Sequence, residues 1–369
     1  MPLAPRPEIE NMKSCYHGGI NYAELKAMGI SPETVLDFSV CTNPFMPPPQ
    51  LKEKLNTAPI ERYPDSRATE FRQRLSEKLG VPLDNILAGS GTTELIRLVA
   101  LAYFRQGDTV LILEPTYGEY EVACKIAGAV PVKQRGKEAD NFVPKLDETI
   151  DLIRQHQPGA VFICNPNNPN GKYLSNQDIE KISAAGKDAL LILDEAYISF
   201  VNDRWPSTDL IAQGNVIILR SMTKDYSLAG LRLGYAIANT EIINNLRRVC
   251  PPWNVNAIAQ QAGIVSLASE DYLEQSKAKI KEAKQFLVDE LKQMGFPILP
   301  SNANFFLMKA GSAEKFRSAL LKYGILVRDC TSLGLPEYIR LAPRTMPECR
   351  KLITAIRELI KKNKLDTIK

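Results

Sequence analysis

Four continuous apolar runs constrain this chain more than any other feature: Thr109-Val110-Leu111-Ile112-Leu113, Ala160-Val161-Phe162-Ile163-Cys164, Leu190-Leu191-Ile192-Leu193 and Val216-Ile217-Ile218-Leu219. None alternates with polar residues, as a strand with one wet face does, so the runs predict strands buried on both faces. Helical patterns over Tyr117 to Ala127 and Asn176 to Ala185 separate them. The expected fold is therefore α/β, a three-layer, mostly parallel sheet with helices on both sides, whose ligands bind beyond the carboxyl ends of its strands. A chain of 369 residues with 44% hydrophobic content has room for more than that sheet. We expect an N-terminal arm (1–45), a large domain (46–260) and a smaller α+β C-terminal domain (261–369) completed by part of the arm.

Composition removes several function classes. The net charge of +4 is mild and the two signs are interspersed, so no nucleic-acid partner is expected. Seven cysteines, none in a C-x-x-C pair, predict free thiols and a cytoplasmic location. With no apolar run of about eighteen residues and no export-signal pattern, no membrane contact is expected. Two histidines exclude a multi-histidine centre, and no metal is expected.

The residues that follow the apolar runs carry the chemistry. After Leu219 come Ser221, Thr223, Lys224 and Arg232. A lysine just past a buried strand is desolvated, which frees its amine for Schiff-base chemistry, and hydroxyls with an arginine suit a phosphate. Gly89-Ser90-Gly91-Thr92-Thr93 opens a helix at Thr92, another place for a phosphate. A dinucleotide site is disfavoured because Glu94 stands where a third glycine belongs. Asn165-Pro166-Asn167-Asn168 follows one run and Asp194-Glu195-Ala196-Tyr197 the next. Elsewhere the sequence predicts a helix from about Ala68 to Leu79, an irregular arm with a flexible His17-Gly18-Gly19, and one long charged helical region from Ala259 to Gly295. Strands are expected over Asn304 to Met308, Ile325 to Val327 and Tyr338 to Leu341, with Arg328, Arg340 and Arg344 among them.

In this order the Gly-Ser-Gly-Thr-Thr turn, the Asn-Pro-Asn-Gly turn at Asn168 to Gly171, Asp194 and Ser221-x-x-Lys224 with Arg232 resemble the fold-type I pyridoxal-phosphate enzymes of the class I/II aminotransferase superfamily. Ile60-Glu61-Arg62-Tyr63-Pro64-Asp65, Leu113-Glu114-Pro115-Thr116-Tyr117, Asp194-Glu195-Ala196-Tyr197 and Ala229-Gly230-Leu231-Arg232-Leu233-Gly234-Tyr235 are similar to the branch containing histidinol-phosphate aminotransferase and L-threonine-O-3-phosphate decarboxylase. The resemblance implies pyridoxal 5'-phosphate as cofactor, with Lys224 as its Schiff-base lysine and proton carrier. It implies that Asp194 faces the ring nitrogen, that Asn168 and Tyr197 hydrogen-bond the ring oxygen, and that Tyr117 stacks on the ring. Thr92, Thr93, Ser221, Thr223 and Arg232 would cradle the phosphate, joined by Tyr63 from the partner subunit of a homodimer with shared active sites.

For the substrate, the resemblance implies a small phosphorylated amino acid or amine held by Arg340 at its carboxylate, by Arg328 and His17 at its phosphate, with Arg344 a further candidate near that phosphate, and by Asn168. Transaminases and decarboxylases of this kind differ in which bond at the α-carbon stands perpendicular to the ring. His17-Gly18-Gly19, Leu36-Asp37-Phe38-Ser39 and Pro252-Trp253-Asn254-Val255-Asn256-Ala257 are similar to the decarboxylase branch. The expected activity is therefore L-threonine-O-3-phosphate decarboxylase, a lyase of cobalamin biosynthesis. The alternative is histidinol-phosphate aminotransferase of histidine biosynthesis, a transferase with 2-oxoglutarate as acceptor, or a related amino-acid transaminase.

Overall fold

A computed structural model describes residues 3–10, 12, 15–362 and 365. The arm contributes a short strand, β1 (Leu36–Asp37). The following residues form β2 (Ile86–Gly89), β3 (Thr109–Glu114), β4 (Val130–Arg135), β5 (Ala160–Cys164), β6 (Leu190–Asp194), β7 (Val216–Ser221) and β8 (Gly234–Ala238). These seven make one sheet in the order β2-β8-β7-β6-β5-β3-β4. All pairs are parallel except those of β8, which runs antiparallel to both β2 and β7.

Alternate side chains of the four apolar runs feed two cores. Val161, Ile163, Leu191, Leu193, Val216 and Ile218 pack on one face, against Phe71 and Leu75 of the helix Thr69–Leu79 and against Ala259 and Ala262. Phe162, Ile192, Ile217 and Leu219 pack on the other, against helices Thr92–Tyr103, Glu119–Ala127 and Thr240–Val249. Each such side chain contributes about 1.5–3 kcal/mol on burial, so the three-layer expectation holds.

Four expectations are corrected. The edge strand β4 escaped notice because Val130-Pro131-Val132-Lys133-Gln134-Arg135 is too polar to read as an apolar run; its mixed exposure is that of an edge. β8 lies inside a motif read for its chemistry. The long charged region is two helices, Ala257–Leu267 and Glu270–Gln293: the first joins the large core, and Ser269 ends it by donating to Val265 O at 2.9 Å. The arm is not irregular throughout, since Asn21 caps a helix at Tyr22–Ala27 by accepting from Ala23 and Glu24 N–H.

C-terminal strands β9 (Phe306–Lys309), β10 (Ile325–Leu326), β11 (Arg328–Asp329) and β12 (Tyr338–Leu341) complete the chain. β11, β12 and β9 form an antiparallel sheet, and β1 of the arm pairs in parallel with β10. Phe38 of the arm is buried in the same core as helices Ala313–Leu321 and Met346–Lys361. Among the described residues no helix is long and apolar enough to cross a membrane.

Candidate active site

The carboxyl ends of β5, β6 and β7 stand side by side, because Cys164 pairs with Asp194 and Asp194 with Leu219. Around them a cavity of about 70 Å³ is lined by Thr92, Thr93, Tyr117, Asn168, Asp194, Tyr197, Ser221, Thr223, Lys224 and Arg232. Every residue expected around the cofactor is there except Tyr63.

One end of this cavity is built for an anion. Gly91 turns the chain with φ 79°, and the helix Thr92–Tyr103 begins without a side-chain cap, so its first N–H groups are left for a ligand. A Cβ on residue 91 would lie 2.8 Å from Arg232 Nη2; only glycine lets the guanidinium lie against the turn. Ser221 Oγ and Thr223 Oγ1 are 2.7 Å apart beside it. Glu94, out of place for a dinucleotide motif, closes the turn by accepting from Ser90 N–H at 2.6 Å and Asn254 Nδ2 at 2.8 Å.

The other end is acidic and dry. Asp194 is 2% exposed and accepts from Tyr120 Oη at 2.8 Å and Ala196 N–H at 3.0 Å. Burial pushes its carboxyl up to about 6, so it is poised to be ionised by a cationic partner. Burial also pulls the Lys224 amine down, favouring its neutral, nucleophilic form, and Nζ lies 5.9 Å from the centre of the Tyr197 ring. Tyr117 shares a 3.1 Å hydrogen bond with Thr93 Oγ1, and burial pushes its phenol up to about 12, so it stays protonated.

A second cavity of about 410 Å³ opens from the first across Thr93, Tyr117, Asn168, Tyr197, Lys224 and Arg232, and adds His17, Arg328 and Arg340. Arg328 and Arg340 are register partners on β11 and β12, so they leave the sheet on the same face. Arg340 donates Nη1 to Asn168 Oδ1 and Nη2 to Ser39 O at 2.7 Å. Arg328 donates Nη2 to Tyr16 O at 2.7 Å and to Ser332 Oγ at 2.8 Å. Both side chains are buried, yet Arg328 Nη1 and Arg340 Nε have no hydrogen-bond partner among the described residues. His17 Nε2 is 2.9 Å from Glu119 Oε1, and hydrogen bonds with Cys15 and Glu119 raise the imidazole to about 9.

Two expected residues lie elsewhere. Tyr63 is 75% exposed and stacks on Trp253 with ring centres 4.2 Å apart. Arg344 donates to Glu348 at 2.9 Å and to Asp37 O at 3.3 Å, tying the arm to the C-terminal part instead of lining a cavity. Sequence reasoning missed Tyr120, which supports Asp194, although it follows Tyr117 by one helical turn and that spacing was a usable signal. It also missed Tyr16 and Glu119, which no local pattern marks, and it noted Ser39 only as part of the Leu36-Asp37-Phe38-Ser39 motif, without its contact to Arg340.

The sheet, the strand-end lysine and the anion-binding turn define a pyridoxal-phosphate enzyme of the type I transferase fold. The chain belongs to the aminotransferase class I and II family, which it matches over residues 33–356. It is 34% identical over 312 residues, 84% of its length and 88% of the relative's, to a histidinol-phosphate aminotransferase of Thermoanaerobacter pseudethanolicus. A crystal structure of histidinol-phosphate aminotransferase from Sinorhizobium meliloti, in complex with pyridoxal-5'-phosphate, superposes with a TM-score of 0.87, covering 97% of this chain and 98% of that one at 23% identity. The L-threonine-O-3-phosphate decarboxylase of Porphyromonas gingivalis superposes with a TM-score of 0.75 at 25% identity, over 88% of this chain and 99% of that one. The residues fit the cofactor, with a buried carboxyl at one end of the smaller cavity, uncapped N–H groups and a guanidinium at the other, and Lys224 between. When bound, pyridoxal phosphate supplies an electron sink for charge developing at the substrate α-carbon.

Proposed function

We propose that this enzyme is a transaminase that takes the amino group of a phosphorylated amine, histidinol phosphate, and delivers it to 2-oxoglutarate. The observation that carries the reading is the 34% identity over most of both chains to a relative named for that activity. This reverses the preference expected from the arm motifs.

In this reading Asp194 holds the proton on the ring nitrogen, and Asn168 and Tyr197 hold the ring oxygen. Thr92, Thr93, Ser221, Thr223 and Arg232 hold the cofactor phosphate. Lys224, its charged form disfavoured by burial, carries the proton to and from the substrate α-carbon. Arg328 and His17 take the substrate phosphate. Arg340 orients the acceptor's carboxylate as a fork, and the acceptor's second carboxylate uses the Arg328 end in its turn. Two guanidinium groups with unfilled donors on one face suit the two carboxylates of the acceptor, and the single phosphate of the donor uses the Arg328 end alone.

We also propose a cytoplasmic homodimer in which the exposed Tyr63, backed by Trp253, reaches the partner's phosphate cradle; an active enzyme that sediments as a monomer would remove that part. To test the reaction, the protein is mixed with histidinol phosphate alone. The expected result is one stoichiometric bleaching of the visible cofactor band and continuous turnover once 2-oxoglutarate is added. Continuous CO₂ release from O-phospho-L-threonine without any acceptor would sink the transaminase and restore the decarboxylase.

A further inference from the structure

Cys15, His17 and Glu119 meet at the mouth of the larger cavity. A thiol sulfur, an imidazole nitrogen and a carboxylate oxygen from the three all lie within 4.8 Å of one another. Zinc holds sulfur at about 2.3 Å and nitrogen or oxygen at about 2.0–2.2 Å, so its tetrahedral ligands stand roughly 3.3–3.8 Å apart. The His17–Glu119 contact of 2.9 Å would open slightly and the thiol would approach by roughly 1 Å to reach that spacing.

The surroundings favour such a site. Arg97 Nη2 holds the other Glu119 oxygen at 2.6 Å, an outer partner that orients the carboxylate and leaves Oε1 turned to His17. Gly118 begins the helix that carries Glu119, and a Cβ there would meet Cys15 Sγ at 2.5 Å. Only glycine therefore lets the thiol come this close. The cavity that Cys15, His17 and Gly118 line has room for a fourth ligand, a water or an anion.

We propose that Cys15, His17 and Glu119 form a site for one thiophilic divalent cation of the zinc class, with three protein ligands and one open position. The thiol proton and the proton that His17 Nε2 shares with Glu119 both leave to solvent as sulfur and nitrogen bind, and a sulfur, nitrogen and oxygen set selects zinc over magnesium or calcium. The ion would staple the arm to the helix Glu119–Ala127. Sequence gave no spacing signature, because Glu119 lies 102 residues after His17. His17 is the one residue shared with the proposed substrate site. Because the readout is cation binding without substrate, the site stands or falls apart from the reaction.

The test uses the full-length protein with its cofactor, stripped of metal and titrated with zinc chloride against a chromophoric chelator. One equivalent should bind per chain, and magnesium should not compete. Cys15→Ser should weaken binding by tenfold or more. Gly118→Ala should weaken it similarly, since φ −64° accepts alanine and only the thiol is displaced. The visible cofactor band, kept in both variants, reports an intact fold. Absence of a stoichiometric zinc ion in the wild type, or unchanged affinity in both variants, would overturn the site.

Discussion

The two sides of Lys224 are built by different means. On the cofactor side every lining group comes from a turn at the edge of one sheet, and β5, β6 and β7 hold those turns side by side through their ladder. On the substrate side the contacts join distant segments: Arg328 to Tyr16 across 312 residues, Arg340 to Ser39 across 301, and Arg340 to Asn168 across 172. The first side buries one carboxyl among hydroxyl and N–H donors. The second places two like charges opposite each other in a sheet, an arrangement that is destabilising unless other groups satisfy it. Here the arm does so, by offering the carbonyls of Tyr16 and Ser39. The contrast teaches that the cofactor cradle follows from the ladder of one sheet, whereas the larger cavity is completed by the docked arm.

The largest expected effect breaks the side that the sheet builds. Lys224→Ala should lower turnover by on the order of 10²–10⁴-fold or more, and borohydride should no longer fix the cofactor to the protein by mass spectrometry. The same variant should melt as the wild type does when both are cofactor-free. Activity within tenfold of wild type would mean that the chemistry lies elsewhere.

Arg340→Lys acts on the other side. It keeps the charge but loses the planar fork that donates to Asn168 and Ser39 and that, in the proposed reading, also orients a substrate carboxylate. Loss of one charge-assisted pair should raise KM for the 2-oxo acid by roughly ten- to a hundredfold, measured by steady-state kinetics, with the visible band unchanged. A shifted band would show that the two sides are not separable.

The smallest effect on turnover compares two buried carboxyls. Asp194 and Asp225 are both raised to about 6 by burial. Asp225 faces no cofactor; it accepts from Ser199 Oγ at 2.7 Å and Tyr226 N–H at 3.0 Å. Between about pH 4 and 6 the folded state keeps these protons while the unfolded chain has lost them, so each group's contribution to stability falls as pH rises through that window. A shift of about two units corresponds to roughly 3 kcal/mol. Urea denaturation of the cofactor-free protein from pH 4 to 7 should therefore show Asp225→Asn gaining on wild type by up to about 3 kcal/mol, with turnover little changed. Asp194→Asn should gain similarly but lose activity. A parallel pH dependence in wild type and Asp225→Asn would refute the burial argument.

Legibility in the sequence follows the same division. The runs at Val161, Ile192 and Ile218 read as doubly buried strands because a hydrophobic pattern is local, and β4 did not because Lys133 and Arg135 are exposed at an edge and Gln134 between them is polar though buried. Tyr63 was named for a role that one subunit cannot display. Arg344 was grouped with the substrate arginines but serves the arm.

By itself the sequence determined the cofactor side, because a residue that directly follows a buried parallel strand must emerge at the sheet's carboxyl edge, so Asp194, Ser221 and Lys224 were neighbours by chain connectivity. Only the tertiary structure decided that Arg328 stands opposite Arg340, that Ser39 and Tyr16 satisfy them, and that Cys15 meets Glu119. Those meetings depend on strand register and on where the arm docks, and both are set by packing between segments far apart in the chain.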